Sequence, residues 1–157
     1  MKGYITMADE NILTVALMAA LGDAESQVKL GGCYIVGKGV EKDPAKGVEW
    51  MQKAADQGNE QAKRVLGNCY VAGIGVEKNN DKAIEYLLPF ALKGDMAAQG
   101  TVAGAYAGKY FDTDALYYYE EAMKWYQKAA DQGDEESRKT MVQLALVKAF
   151  GKKDGNK

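Results

Sequence analysis

Histidine is absent from the 157 residues. Its absence excludes Ser-His and Cys-His nucleophile pairs, imidazole general bases and every zinc site that needs a nitrogen ligand. There are two prolines and two cysteines, too few for a proline-rich linker or a disulfide-stapled scaffold. Neither sign of charge dominates, with 20 basic and 22 acidic residues. No basic stripe is therefore available to follow a phosphate backbone, and the sequence argues against nucleic-acid binding. The longest largely apolar run, Ile12 to Leu21, falls short of the roughly 20 residues a membrane helix needs, so no membrane insertion is expected. It follows Asp9 and Glu10, with Lys2 the only basic residue upstream. That is the wrong flank for a secretory signal, and a cytoplasmic chain is the expectation, a periplasmic or secreted one the alternative if a leader has been removed.

What is present is repetition. The heptapeptide Gln52 to Gly58 returns letter for letter at Gln127 to Gly133, with a weaker echo at Leu88 to Gly94. A unit recurring at this spacing sets the fold class as a stack of helix pairs. Leu30, Gly31, Tyr34, Gly37 and Gly39 match Leu66, Gly67, Tyr70, Gly73 and Gly75, while Trp50 matches Tyr86 and then Trp125. The frame divides the chain into an N-terminal half repeat (8–22), three repeats (23–58, 59–94, 95–133), a closing helix (134–150) and a tail (151–157).

Each unit reads as helix, glycine turn, helix and a tight Gly-Asx junction. First helices are expected over Ala24 to Val36 and Glu60 to Ala72, where apolar and small residues follow a 3.6-residue period. Asp43-Pro44 starts a second helix, with aspartate as N-cap and proline at the first helical position. Gly31 and Gly67 lie inside helices, which predicts a neighbour packed too close for a side chain. Pro89 is expected to kink its helix. Cys33 and Cys69 occupy equivalent places on successive first helices. That spacing predicts two free, small, buried thiols rather than a bridge.

The quoted residues resemble the Sel-one-like repeat family, relatives of the tetratricopeptide repeats. The match is carried by Leu30-Gly31, Tyr34, Gly37, Gly39-Val40, Asp43, Lys46, Trp50 and Lys53 to Gly58, and again by Trp125 to Gly133. The resemblance implies an all-α fold, an α/α superhelical solenoid of antiparallel helix pairs, that serves as an adaptor or scaffold. It supplies no catalytic residues, and no cofactor or metal is expected. Some bacterial members act as immunity proteins against a toxin, which is one alternative role. A self-assembling array is another.

Two surfaces are candidates for a protein or peptide partner, with the chain itself monomeric or weakly oligomeric. Frame positions lining the first helices carry Gln27, Lys63, Gln99 and Arg138, with Asn68 one turn further along, where Gly32 and Gly104 are its equivalents. They read either as a polar groove for an extended or acidic segment or as solvated surface. The third unit lacks the Gly-x-Gly turn and gains three residues within Tyr106 to Glu121. There, Tyr110, Phe111, Tyr117, Tyr118 and Tyr119 read as an interface or as packing of a lengthened turn. Tyr106 stands in the frame of Tyr34 and Tyr70 and is expected in the core. The acidic pairs Asp9-Glu10, Glu120-Glu121 and Glu135-Glu136 read as structural or solvating, since adjacent helical residues do not face each other. Gly37-Lys-Gly39 is no phosphate loop, because it follows a helix and lacks the Lys-Ser/Thr ending.

Overall fold

The computed structural model describes residues 7–151. The side chains of residues 7–10, including Asp9 and Glu10, and most of the tail lie outside the described set. Among the described residues there are eight helices and no strand. They are α1 (Met7–Ala20), α2 (Ala24–Val36), α3 (Pro44–Asp56), α4 (Glu60–Ala72), α5 (Asn80–Leu92), α6 (Met96–Thr113), α7 (Leu116–Asp131) and α8 (Glu135–Phe150).

Punctuation fixes these boundaries. Asp23, Asn59 and Asp95 accept hydrogen bonds from the backbone N–H three residues on, at 2.8, 2.9 and 2.8 Å. Asp43 does the same for Lys46 at 3.0 Å. Each satisfies one of the orphan donors of a helix start. At the other end, Gly37 and Gly73 take φ of 78° and 70°, a left-handed conformation that glycine adopts without a Cβ penalty. Their N–H groups reach back to Cys33 and Cys69. Helix α5 runs unbroken through Pro89, which is exposed. The missing N–H removes the partner of the Glu85 carbonyl, on a side open to water.

Two compact units divide the chain, one holding α1–α4 up to Asn79 and one holding α5–α8 from Asn80. The division falls inside the second sequence repeat, between its two helices. In the first unit Leu30, Val48, Met51, Ala54 and Leu66 are buried. Helices α2 and α3 approach so closely that a Cβ on Gly31 would lie 2.8 Å from the Gly47 carbonyl oxygen. The expected reason for a glycine inside this helix is thus present. Cys69 is buried, whereas Cys33 is only half-buried, and both thiols are free. In the second unit Leu87, Phe90, Val102, Trp125, Tyr126 and Leu144 form one core.

Helix α8 carries an exposed apolar row. Val142, Leu146 and Phe150, spaced by four, are all exposed. The repeat frame accounts for two of them, since Val142 and Leu146 stand where α2 has Gly31 and Ile35, the residues pressed against α3. Helix α1 likewise exposes Leu13 and Leu17, and Leu21 is exposed just past its end.

Candidate functional site

The third repeat builds its departure from one lost glycine. The frame position of Gly37 and Gly73 is held by Lys109, so nothing stops α6 there and the helix continues to Thr113. Asp114 then takes the left-handed turn at φ 57°, donating its N–H to the Tyr110 carbonyl at 2.8 Å. Helix α7 begins two residues later. The extra residues therefore lengthen two helices, and the lengthened turn expected from the sequence is instead a tight corner.

That geometry sorts the aromatic residues. Tyr110 is 8% exposed and belongs to the core, which removes it from the interface candidates. Its ring meets Tyr119 edge-on at 5.5 Å and Phe111 at 5.7 Å, arrangements that suit the ring quadrupoles. Tyr118 stacks on the half-buried Tyr106 at 6.4 Å. Cations cover the half-buried rings, Lys109 at 4.7 Å over Tyr118 and Lys148 at 4.0 Å over Tyr119. Lys109 also pairs with Asp81, and that hydrogen bond lifts its pKa above the usual lysine range. Burial holds the Tyr106 hydroxyl above its ordinary range as well. Phe111 and Tyr117 remain, 43% and 59% exposed. Leu116, 51% exposed, joins them at the corner. The sequence frame gave no signal for it, because it falls in the stretch where the register is lost.

The polar row on the first helices is corrected more sharply. Gln27 and Gln99 are only 4% and 5% exposed. The Gln27 amide donates to the Ala19 carbonyl at 3.1 Å and accepts from Gln57 at 2.8 Å, while Gln57 also donates to the Gly22 carbonyl at 3.0 Å. The same clamp recurs in the second unit, where Gln99 donates to Ala91 at 3.1 Å. Gln132 donates to Gln99 at 2.7 Å and to Gly94 at 3.1 Å. These glutamines tie a first helix to the junction before it and present nothing to a groove. Arg138, in the same frame, reaches the Ala130 carbonyl at 3.2 Å and pairs with Glu135. Lys63 is half-buried and Asn68 exposed. Gln27, Lys63 and Asn68 lie in the first unit, Gln99 and Arg138 in the second.

Each unit has a hollow between successive first helices. The one between α2 and α4 has a volume of about 530 Å³ and is edged by Glu25 and Lys29. The one between α6 and α8 is about 340 Å³, lies over Gly104 and Tyr126, and reaches Phe111 at the corner. Among the described residues no group of three or more His, Cys, Asp or Glu is placed to hold a metal ion. No described helix is long and apolar enough to cross a membrane.

The Sel1 repeat profile matches residues 24–59, 61–95 and 114–134. The gap before 114 covers α6, the helix that lost its glycine stop. A solved structure of a protective antigen present in uropathogenic Escherichia coli strains, displaying an SLR fold, is 28% identical. The match covers 92% of this chain and 30% of that one with a TM-score of 0.68. A Sel1 repeat protein from Oxalobacter formigenes is 32% identical over 82% of this chain and 51% of its own, with a TM-score of 0.59. The chain thus spans about a third to a half of the length of these structures. No curated protein matches it. Three profile matches and two similar structures agree with the helices and caps described above: the chain belongs to the Sel1 repeat family and has its all-α solenoid fold.

Proposed function

We propose that this chain is a non-catalytic protein-interaction module whose contact surface in the second unit centres on the α6–α7 corner. The observation that carries this reading is the exposure of Phe111, Leu116 and Tyr117 together on two rigid helix ends. Large rings on a preformed surface bind with little ordering cost, and aromatic residues are enriched in interfaces. The glycine turns of the other repeats carry no aromatic side chain.

The test is affinity capture from native lysate with the full chain, set beside a Phe111→Ala/Tyr117→Ala variant shown to be folded by circular dichroism. Loss of one stoichiometric protein from the variant is expected, with binding weakened about 30-fold if the pair carries about 2 kcal/mol. A partner retained by both proteins moves the contact away from the corner.

Association between copies is the second reading, carried by the exposed Val142 and Leu146 of α8. These side chains have the register that a second helix covers in α2. Sedimentation equilibrium checks it: concentration-dependent mass that a Leu146→Glu variant abolishes supports association, and a constant monomer mass for the parent chain excludes it.

A further inference from the structure

From Tyr110 to Met123 the chain carries Asp112, Asp114, Glu120 and Glu121 and no lysine or arginine. Glu121 pairs with Lys124. The other three carboxylates are exposed, and no described lysine or arginine pairs with any of them. Asp112 lies in the last turn of α6 and Asp114 at the corner itself. Glu120 follows Leu116 by four residues and Tyr117 by three, which puts it on their face of α7. Solvent alone can satisfy such carboxylates, so the rings beside them decide what the surface suits.

Two of the three consecutive tyrosines already hold an ammonium group over the ring. Lys109 Nζ stands 4.7 Å from the centroid of Tyr118, and Lys148 Nζ stands 4.0 Å from that of Tyr119. The negative face of the ring attracts the cation. Tyr117 is the third of the run. Its ring meets Tyr118 at 5.3 Å and 64°, and its hydroxyl neighbours Tyr106, whose pKa is raised by burial first and then by Tyr117. The side chain is nonetheless 59% exposed, with no described cation over it. The chain has no lysine left to place there, since Lys109 is held by Asp81 and Lys124 by Glu121.

We propose that the α6–α7 corner takes a basic segment of a protein partner. One lysine or arginine of that segment lies on the Tyr117 ring and is drawn to Glu120, Asp112 and Asp114, while an aliphatic neighbour rests on Leu116. This rests on the interaction-module reading and names the chemistry of the partner. Carboxylates of one sign around an open ring face select a cationic occupant and repel an acidic one. Because these charges are exposed, the attraction falls as salt is added.

The probe is a phage-displayed random octapeptide library selected on the full chain at low salt, with selected peptides measured by fluorescence anisotropy. Enriched peptides should carry lysine or arginine beside an aliphatic residue. Glu120→Gln/Asp112→Asn should weaken them about three- to ten-fold and flatten their salt dependence. Tyr117→Leu keeps apolar area but removes the ring face, and should weaken them about two- to five-fold, while Tyr117→Phe should bind as the parent does. Glu135→Gln/Glu136→Gln removes the same charge from α8 and should leave them unchanged. Basic peptides indifferent to every variant, or weakened equally by both charge pairs, overturn the site. Neutral or acidic peptides that lose binding in the Phe111→Ala/Tyr117→Ala protein overturn the basic partner while leaving the corner contact intact. An unenriched library also overturns the inference, and the interaction-module reading then stands or falls on the Phe111/Tyr117 capture.

Discussion

A buried amide is costly unless every lone pair and proton finds a partner, which is why the glutamine clamps matter more than their polarity suggests. Gln99 satisfies a carbonyl at the end of α5 and receives Gln132 from the end of α7. Gln99→Ala is expected to cost about 1–3 kcal/mol in a urea titration, since it strands the Ala91 carbonyl and frees Gln132. Lys63→Ala, where lysine stands in the frame of the clamping glutamines, should stay within about 0.5 kcal/mol. The sequence contained the signal that separates these positions. Gln27 goes with Gln57 and Gln99 with Gln132, while the middle repeat carries Lys63 with Lys93. Read singly, each glutamine looks like a surface residue, because its partner lies 30 or 33 residues away. The thiols divide in a similar way. Cys69 is 3% exposed and burial raises its thiol pKa, whereas Cys33 is half-buried. Because the thiolate is the reacting form, iodoacetamide at pH 8 should label Cys33 first, with Cys69 following only when the helix opens. Equal rates at the two sites would contradict this packing.

At the scale of the element, local chemistry was readable and register was not. The limits of α2 and α4 and the start of α3 follow from Gly37, Gly73, Asn59 and the Asp43-Pro44 pair, each of which acts within four residues of its own position. The α6–α7 corner was misread because its cause is an absence: without glycine at 109, helix propagation continues until another residue accepts a left-handed backbone. Asp114 does so, as aspartate tolerates that region better than most side chains. Asp114→Val should therefore destabilise the chain by about 1–2 kcal/mol, while Asp114→Gly should be neutral or better; thermal melts of the two variants check this. If valine is tolerated, the corner is not fixed by this residue. Asp95→Ala tests the opposite end of the same helix. Loss of its 2.8 Å bond to the Ala98 N–H should cost about 1 kcal/mol, and Asp95→Asn should restore most of it.

For the whole molecule, the two compact units make a statement about cooperativity. In stacked repeats stability is close to a sum of each unit's own terms and its nearest-neighbour terms, so damage need not spread evenly. Leu66 is fully buried in the first unit and Val102 in the second. Truncating Leu66 to alanine leaves a cavity that costs about 2–5 kcal/mol. If the units open separately, hydrogen exchange in Leu66→Ala should accelerate across α1–α4 by about 30-fold or more, with α5–α8 changed far less. Val102→Ala should give the mirror pattern. Equal acceleration along the chain in both variants would mean that all eight helices unfold as one body. The outcome also bears on binding, because the proposed contact, the corner at Phe111 and Tyr117, lies in the second unit. A segment bound there should slow exchange in α6, α7 and α8 even in the Leu66→Ala protein. Protection that instead vanishes when the first unit is destabilised would place part of the binding energy in α1–α4, and with it a role for Lys63 and Asn68.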